Sequence, residues 1–158
     1  MLASLADSYS GQSRFSLPKV AREIDSFSFS GLKTAISLIV KKHQQELQED
    51  ESVLGEMAWS IQNAIIDSLV HKTIKALSAE NLPLVICGGV SANKELRRRL
   101  QAAHGDVYVP PLKHCVDNGA MIAFAAGCHV LQGHVPTGLD IFSRWPVESL
   151  RYFYGLEI

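Results

Sequence analysis

The segment Leu82-Pro83-Leu84-Val85-Ile86-Cys87-Gly88-Gly89-Val90-Ser91 constrains this chain more than any other. Its apolar run has the length of a buried strand, and Pro83, which lacks a backbone N–H, is tolerable only near the start of one. The run ends in two glycines, and Ala92 to Ala103 then has the composition of a helix with Ser91 as its N-cap. A second short strand, Val107-Tyr108-Val109, stops at Pro110-Pro111. Strand, helix and strand in this order predict a right-handed parallel crossover, and hence an α/β fold that is helix-rich around a short parallel β-α-β core.

The helices come from periodicity. Over 52–79, Leu54, Met57, Ala58, Ile61, Ala64, Ile65, Ser68 and Leu69 recur at the spacing of a core-facing stripe, while Gln62, Asp67, His71 and Lys75 fall mainly on other faces. Glu49-Asp50-Glu51 places acid at the positive end of that helix's dipole. A last helix over 117–132 opens with Asp117-Asn118-Gly119. Ahead of these, 1–25 is polar and turn-rich with a short helix at 2–9. In Phe27-Ser28-Phe29-Ser30 the alternation predicts an extended segment, and a helix over 32–46 follows Gly31. The tail from Gly133 is turn-rich and reads as a closing strap with Trp145 buried.

Composition excludes several classes. With 158 residues, 47% of them apolar and 20% charged, the chain suits one domain and is not intrinsically disordered. A formal net charge of -1 is unlike that of a histone-like or arm-type nucleic-acid binder. The longest weakly polar run, 119–128, is shorter than the roughly 20 residues a bilayer span requires. No basic region and apolar stretch open the chain as a secretory signal would. The three cysteines, Cys87, Cys115 and Cys128, form no Cys-x-x-Cys pair, which points to a reduced, cytoplasmic location. His114-Cys115, Cys128-His129 and His134 loosely mimic a zinc finger, but an amphipathic helix over 116–131 would hold the two cysteines apart.

Two places offer chemistry. Gly88 and Gly89 lack a Cβ at the carboxyl end of a strand, where a ligand can approach the backbone, and Asn93 offers both a donor and an acceptor to a purine edge or ribose. The alternative is a tight strand-to-helix turn with no ligand. Asp117 stands where the connection from the second strand enters the last helix, either as a metal-binding carboxylate or as a plain N-cap. Lys94, Arg97, Arg98 and Arg99 form a basic run, read either as a solvated helix face or as a contact for RNA phosphates.

Taken together, Phe27-Ser28-Phe29-Ser30-Gly31-Leu32-Lys33-Thr34, Ile86-Cys87-Gly88-Gly89-Val90-Ser91-Ala92-Asn93 and Cys115-Val116-Asp117-Asn118-Gly119-Ala120-Met121-Ile122-Ala123, followed by Arg144-Trp145-Pro146, resemble the carboxyl-terminal half of the bacterial tRNA N6-adenosine threonylcarbamoyltransferase family, the TsaD or Gcp type. The resemblance implies a partial actin, sugar-kinase and Hsp70-like (ribonuclease H-like) lobe: a single incomplete domain over 1–158, with a helical and loop region at 1–50 and the carboxyl-terminal lobe at 51–158. It also implies transfer of threonylcarbamoyl from threonylcarbamoyl-adenylate to N6 of the tRNA adenosine beside the anticodon, the t6A modification. Asn93, Gly88 and Gly89 would contact the adenylate, and Asp117 would supply one ligand to a divalent metal, iron or zinc. Ser30 and Lys33 gain no contact from it.

The chain departs from the family's pattern in having no His-x-x-x-His pair; none of its six histidines fall four apart. Against the family's pattern, the resemblance also leads one to expect that the initial strands of the second lobe are missing. One carboxylate is too few for a catalytic metal, which usually takes about three protein ligands. The expectation is therefore a chain inactive alone, whose partners are a separate amino-terminal half of the transferase, accessory t6A-complex subunits, tRNA and threonylcarbamoyl-adenylate, with no membrane. A truncated or non-catalytic scaffold subunit of the modification complex is the alternative. An unpaired sheet edge predicts poor solubility without a partner.

Overall fold

The computed structural model describes residues 2–19, 28–77 and 82–133. Phe27 and the Arg144-Trp145-Pro146 step, with the expected burial of Trp145, lie outside the described residues. The elements run α1 (Leu2–Asp7), α2 (Ser30–Lys42), α3 (Gln44–Glu49), α4 (Glu51–Leu77), β1 (Leu84–Val85), a 3-10 turn (Gly89–Ala92), α5 (Lys94–Ala103), β2 (Val107–Tyr108), a second 3-10 turn (Leu112–His114) and α6 (Gly119–Leu131). This is the helix-rich α/β arrangement with a small parallel core.

The chain forms two compact units, Met1–Asp117 and Asn118–Ile158. In the first, β1 and β2 pair in parallel with Leu84 opposite Val107 and Val85 opposite Tyr108. Leu84 N–H donates to Asp106 O at 2.9 Å and Ile86 N–H to Tyr108 O at 3.1 Å, which sets the register. Alternation then sends Leu84, Ile86 and Val107 onto a core of Ile66 from α4 and Leu96 and Leu100 from α5. Val85 and Tyr108 point the other way and are exposed, so among the described residues the strands are covered on one face only, a correction to the expectation of a buried strand.

The long helix α4 organises the rest. The Asp50 carboxylate accepts from Ser52 N–H at 2.8 Å and so caps its first turn. Near its start it carries α1, which lies so close that a Cβ at Gly55 would stand 3.5 Å from Leu5 O. Tyr9 meets Trp59 edge-on with ring centroids 5.9 Å apart. The Ser13 hydroxyl and Arg14 N–H then donate to the buried Glu56 carboxylate, and Phe15 is buried edge-on against His43. Farther along, α4 turns Ile66 to the β-α-β core. With neighbours on successive faces, it buries polar Glu56, Ser60, Gln62, Ser68 and Lys72 alongside Met57 and Ala58. Gln62, which periodicity places off the core-facing stripe, is buried, and so is Ile66, which the stripe does not include.

Other boundaries differ in instructive ways. Helix α2 starts at Ser30, one residue before Gly31, and Phe29 at φ -108°, ψ 7° is not extended. The expected helix over 32–46 breaks at His43, whose Nδ1 lies 2.9 Å from Glu46 Oε1 and whose ring faces Phe15. In the second unit, α6 contains no buried residue, and Phe124 and Leu131 are among the most exposed apolar side chains. The helix over 116–131 therefore shows no amphipathic division into buried and exposed faces among the described residues.

Candidate functional site

The turn after β1 is built around Gly88. Its φ of +84° lies where a side chain is strained, so a glycine is required there by the backbone alone. Ser91 closes the turn from below: its N–H donates to Gly88 O at 3.0 Å and its hydroxyl to the same oxygen at 2.7 Å, and the residue is buried. Ser91 is thus a turn-former rather than the N-cap of the following helix, because a 3-10 turn intervenes and α5 begins only at Lys94. Gly89 is different. It has no positive φ, it is exposed, and a Cβ built on it would meet nothing within 4 Å. Nothing in the described fold demands a glycine at 89, and its backbone stands open to an approaching group.

Asn93 is the N-cap of α5. Its Oδ1 accepts from Leu96 N–H at 3.0 Å, and its Nδ2 donates to the Oε1 of Gln62 on α4 at 2.8 Å. Both ends of the carboxamide hold the fold together, which leaves one amide hydrogen and one lone pair for a ligand. Sequence reading missed Gln62, since a glutamine on a mostly apolar helix carries no local sign of being buried.

In chain order Gly88 follows the first parallel strand closely, whereas Asp117 follows the second only after an intervening 3-10 turn. Between β2 and Asp117 the chain makes the 3-10 turn Leu112–His114, with Cys115 buried behind it. The cap of α6 is Asn118, whose Oδ1 accepts from Met121 N–H at 3.0 Å. Asp117 is therefore not used as a cap, and its carboxylate is exposed. Among the described residues no three of His, Cys, Asp and Glu are grouped to hold a metal ion. One exposed carboxylate does not fit a divalent ion on its own, and the finger-like His114-Cys115 and Cys128-His129 pairs form no such group; His134 lies outside the described residues.

The basic run divides. Lys94 is exposed. Arg98 and Arg99 both clasp Glu95, at 2.7 Å and 2.5 Å, and Arg99 reaches on to Asp67 and Asn63 of α4. The Arg98 hydrogen bond, with Arg99 beside it, holds the Glu95 carboxyl down to about 2. Arg97 turns inward: its Nε donates to Ser91 O, and one terminal nitrogen donates to Pro110 O at 2.8 Å and to Cys115 Sγ at 3.1 Å. The run is thus not one phosphate-facing patch. Ser30 and Lys33 sit exposed in the first turn of α2. A separate cavity of about 640 Å³ lies between 11–19 and α4, lined among others by Phe15, Trp59 and Ser68, and holds none of Gly88, Gly89, Asn93 and Asp117.

Comparison with known proteins adds a family. The family described as tRNA N6-adenosine threonylcarbamoyltransferase (TsaD) matches residues 2–124. A protein of that name from Nitrosospira multiformis is 40% identical over 161 residues, covering 93% of this chain and 45% of its own length. Those of Francisella tularensis subsp. holarctica and Chromobacterium violaceum are 40% and 39% identical, covering 89% and 95% of this chain and 43% and 46% of their own. The chain thus spans a little under half the length of these relatives. Assigning the likeness to a carboxyl-terminal half is corrected here: it takes in nearly the whole of this chain and is a likeness to the family along that length.

Proposed function

The chain belongs to the tRNA N6-adenosine threonylcarbamoyltransferase family, and from that membership we propose that it carries part of the site that moves threonylcarbamoyl from threonylcarbamoyl-adenylate to N6 of a tRNA adenosine. In this reading the open backbone at Gly89 and the free amide hydrogen of Asn93 receive the adenylate, and Asp117 contributes one carboxylate beside it. The observation that carries the reading is the contrast between the two glycines. Gly88 is explained by its φ, whereas at Gly89, as at Gly31, Gly105, Gly119 and Gly127, neither φ nor a neighbour among the described residues calls for a glycine, and at Gly89 the open space lies in the turn that follows β1.

Among the described residues no three of His, Cys, Asp and Glu are grouped as a set of metal ligands. The substrate would be held at the carboxyl ends of β1 and β2, with its adenine or ribose against Gly88–Asn93. Any divalent ion would need further ligands from the family's remaining length. Turnover then depends on that remaining length, with accessory subunits and tRNA as the other partners. A binding or scaffold role in the same modification complex is the second reading, and the engagement of both ends of Asn93 in the fold favours it.

Deleting the gene in the cells that express it and measuring tRNA nucleosides by mass spectrometry tests the function. Loss of threonylcarbamoyladenosine, restored by the wild-type chain but not by Asp117→Asn, supports the catalytic reading. Restoration by both supports the scaffold. Unchanged modification in the deletion refutes a role in the reaction.

A further inference from the structure

Arg97 joins three points that the sequence keeps apart. Its side chain is half-buried and donates to Ser91 O in the turn after β1, and to Pro110 O and Cys115 Sγ in the loop after β2. These are the two loops that carry Gly88, Gly89 and Asn93 on one side and Asp117 on the other. Two of these acceptors are backbone carbonyls and the third is a cysteine sulfur, so no carboxylate takes part in these contacts. It uses the planar spread of the guanidinium, whose donors are fixed relative to one another, to fix the acceptors in turn. Beside this clamp, the strands that precede the two loops pair over only two residues each, Leu84 with Val107 and Val85 with Tyr108. Cys115 is almost fully buried and its thiol also faces Pro111 O at 3.6 Å, so this end of the clamp is shielded from water.

We propose that Arg97 is a positioning residue that sets the separation of the Gly88–Asn93 turn from Asp117. It touches no substrate in this account; it acts through the main chain of both loops. The proposal deepens the function proposed above, and rests on it for the kinetic part alone. Lysine in its place keeps the charge but offers one ammonium group, which cannot span the same carbonyls and the thiol with fixed geometry.

The test compares wild type with Arg97→Lys, a variant chosen because Arg97→Ala risks unfolding the β-α-β core. Amide hydrogen exchange is followed on the chain as it exists. Exchange over 88–93 and 109–117 is expected to quicken together by about tenfold or more, while α4 changes by less than about twofold. In a reconstituted modification assay, with the family's remaining length supplied, kcat is expected to fall about 100-fold, the cost of a misplacement near 1 Å. KM for threonylcarbamoyl-adenylate should stay within about threefold. Faster exchange in only one loop, or in neither, overturns the clamp. Full kcat with both loops loosened overturns its positioning role. If the wild type itself shows no turnover, the proposed function fails, and the exchange result alone decides whether Arg97 couples the loops.

Discussion

Replacing Asn93 with alanine removes two interactions at once, and their sum is large for one exposed-looking polar residue. Loss of the cap on Leu96 N–H costs about 1 kcal/mol. Loss of the Nδ2 donor leaves the Oε1 of Gln62, a residue only 7% exposed, without this partner, at about 1–3 kcal/mol. The expected total is about 2–4 kcal/mol, a substantial part of the 5–15 kcal/mol by which domains are usually stable. Asn93→Asp behaves differently. The carboxylate still caps α5, now favoured by the helix dipole, and Gln62 can turn its amide to donate to it, so stability should change by less than about 1 kcal/mol. Urea unfolding followed by circular dichroism reads both, with equal m-values showing that the same surface is exposed. An Asn93→Ala unfolding free energy within about 0.5 kcal/mol of wild type refutes the two-bond account of Asn93. The pair also separates roles: activity lost in Asn93→Asp at full stability would isolate the ligand-facing amide hydrogen from the cap.

The two glycines part in the same way. Gly88→Ala, at φ +84° and ψ 172°, is expected to lose about 1–3 kcal/mol, whereas Gly89→Ala should unfold within about 0.5 kcal/mol of wild type and lose adenylate binding by titration calorimetry. Leu100→Ala, emptying one of the most buried side chains of the β-α-β core, should cost about 3 kcal/mol in thermal or urea unfolding. Glu95 gives a pH signature. Its folded carboxyl lies near 2 against an ordinary 4.5, so its contribution is present above the ordinary value and is lost as pH falls through that window toward 2. Because Arg98 is largely solvated, about 1–2 kcal/mol is expected between pH 6 and pH 2.5, and Glu95→Gln should flatten that slope in urea titrations.

Much of the framework is legible in local sequence. The spacing of apolar residues along α4, the proline and glycines that bracket β1, and the prolines that end β2 act within a few residues, and each element is found where its signals lie. What escaped depends on residues distant in the chain. The break between α2 and α3 has no proline or glycine to announce it; His43 is held there by Phe15 and Glu46. Ser91 looks like a cap because serine commonly is one, but a positive φ at Gly88 gives its hydroxyl a nearer carbonyl, and the cap passes to Asn93. The arginines of α5 read as a solvated face, since no sequence pattern reports that Arg97 has backbone carbonyls beneath it. At the candidate site the turn and the carboxylate were both visible as motifs. Their linkage through Arg97 and the anchoring of Asn93 on Gln62 were not, because both arise from packing.

The proposal that this chain supplies working parts of a threonylcarbamoyl transfer site is tested most directly by nucleoside mass spectrometry of reconstituted tRNA. The chain is mixed with tRNA, threonylcarbamoyl-adenylate, accessory subunits and a polypeptide carrying the family's remaining length, with the intact enzyme as control. Modified adenosine is predicted only when the chain is present, and Asp117→Asn should abolish it while unfolding at the wild-type urea midpoint. No modification with wild-type chain, beside an active control, would contradict the claim.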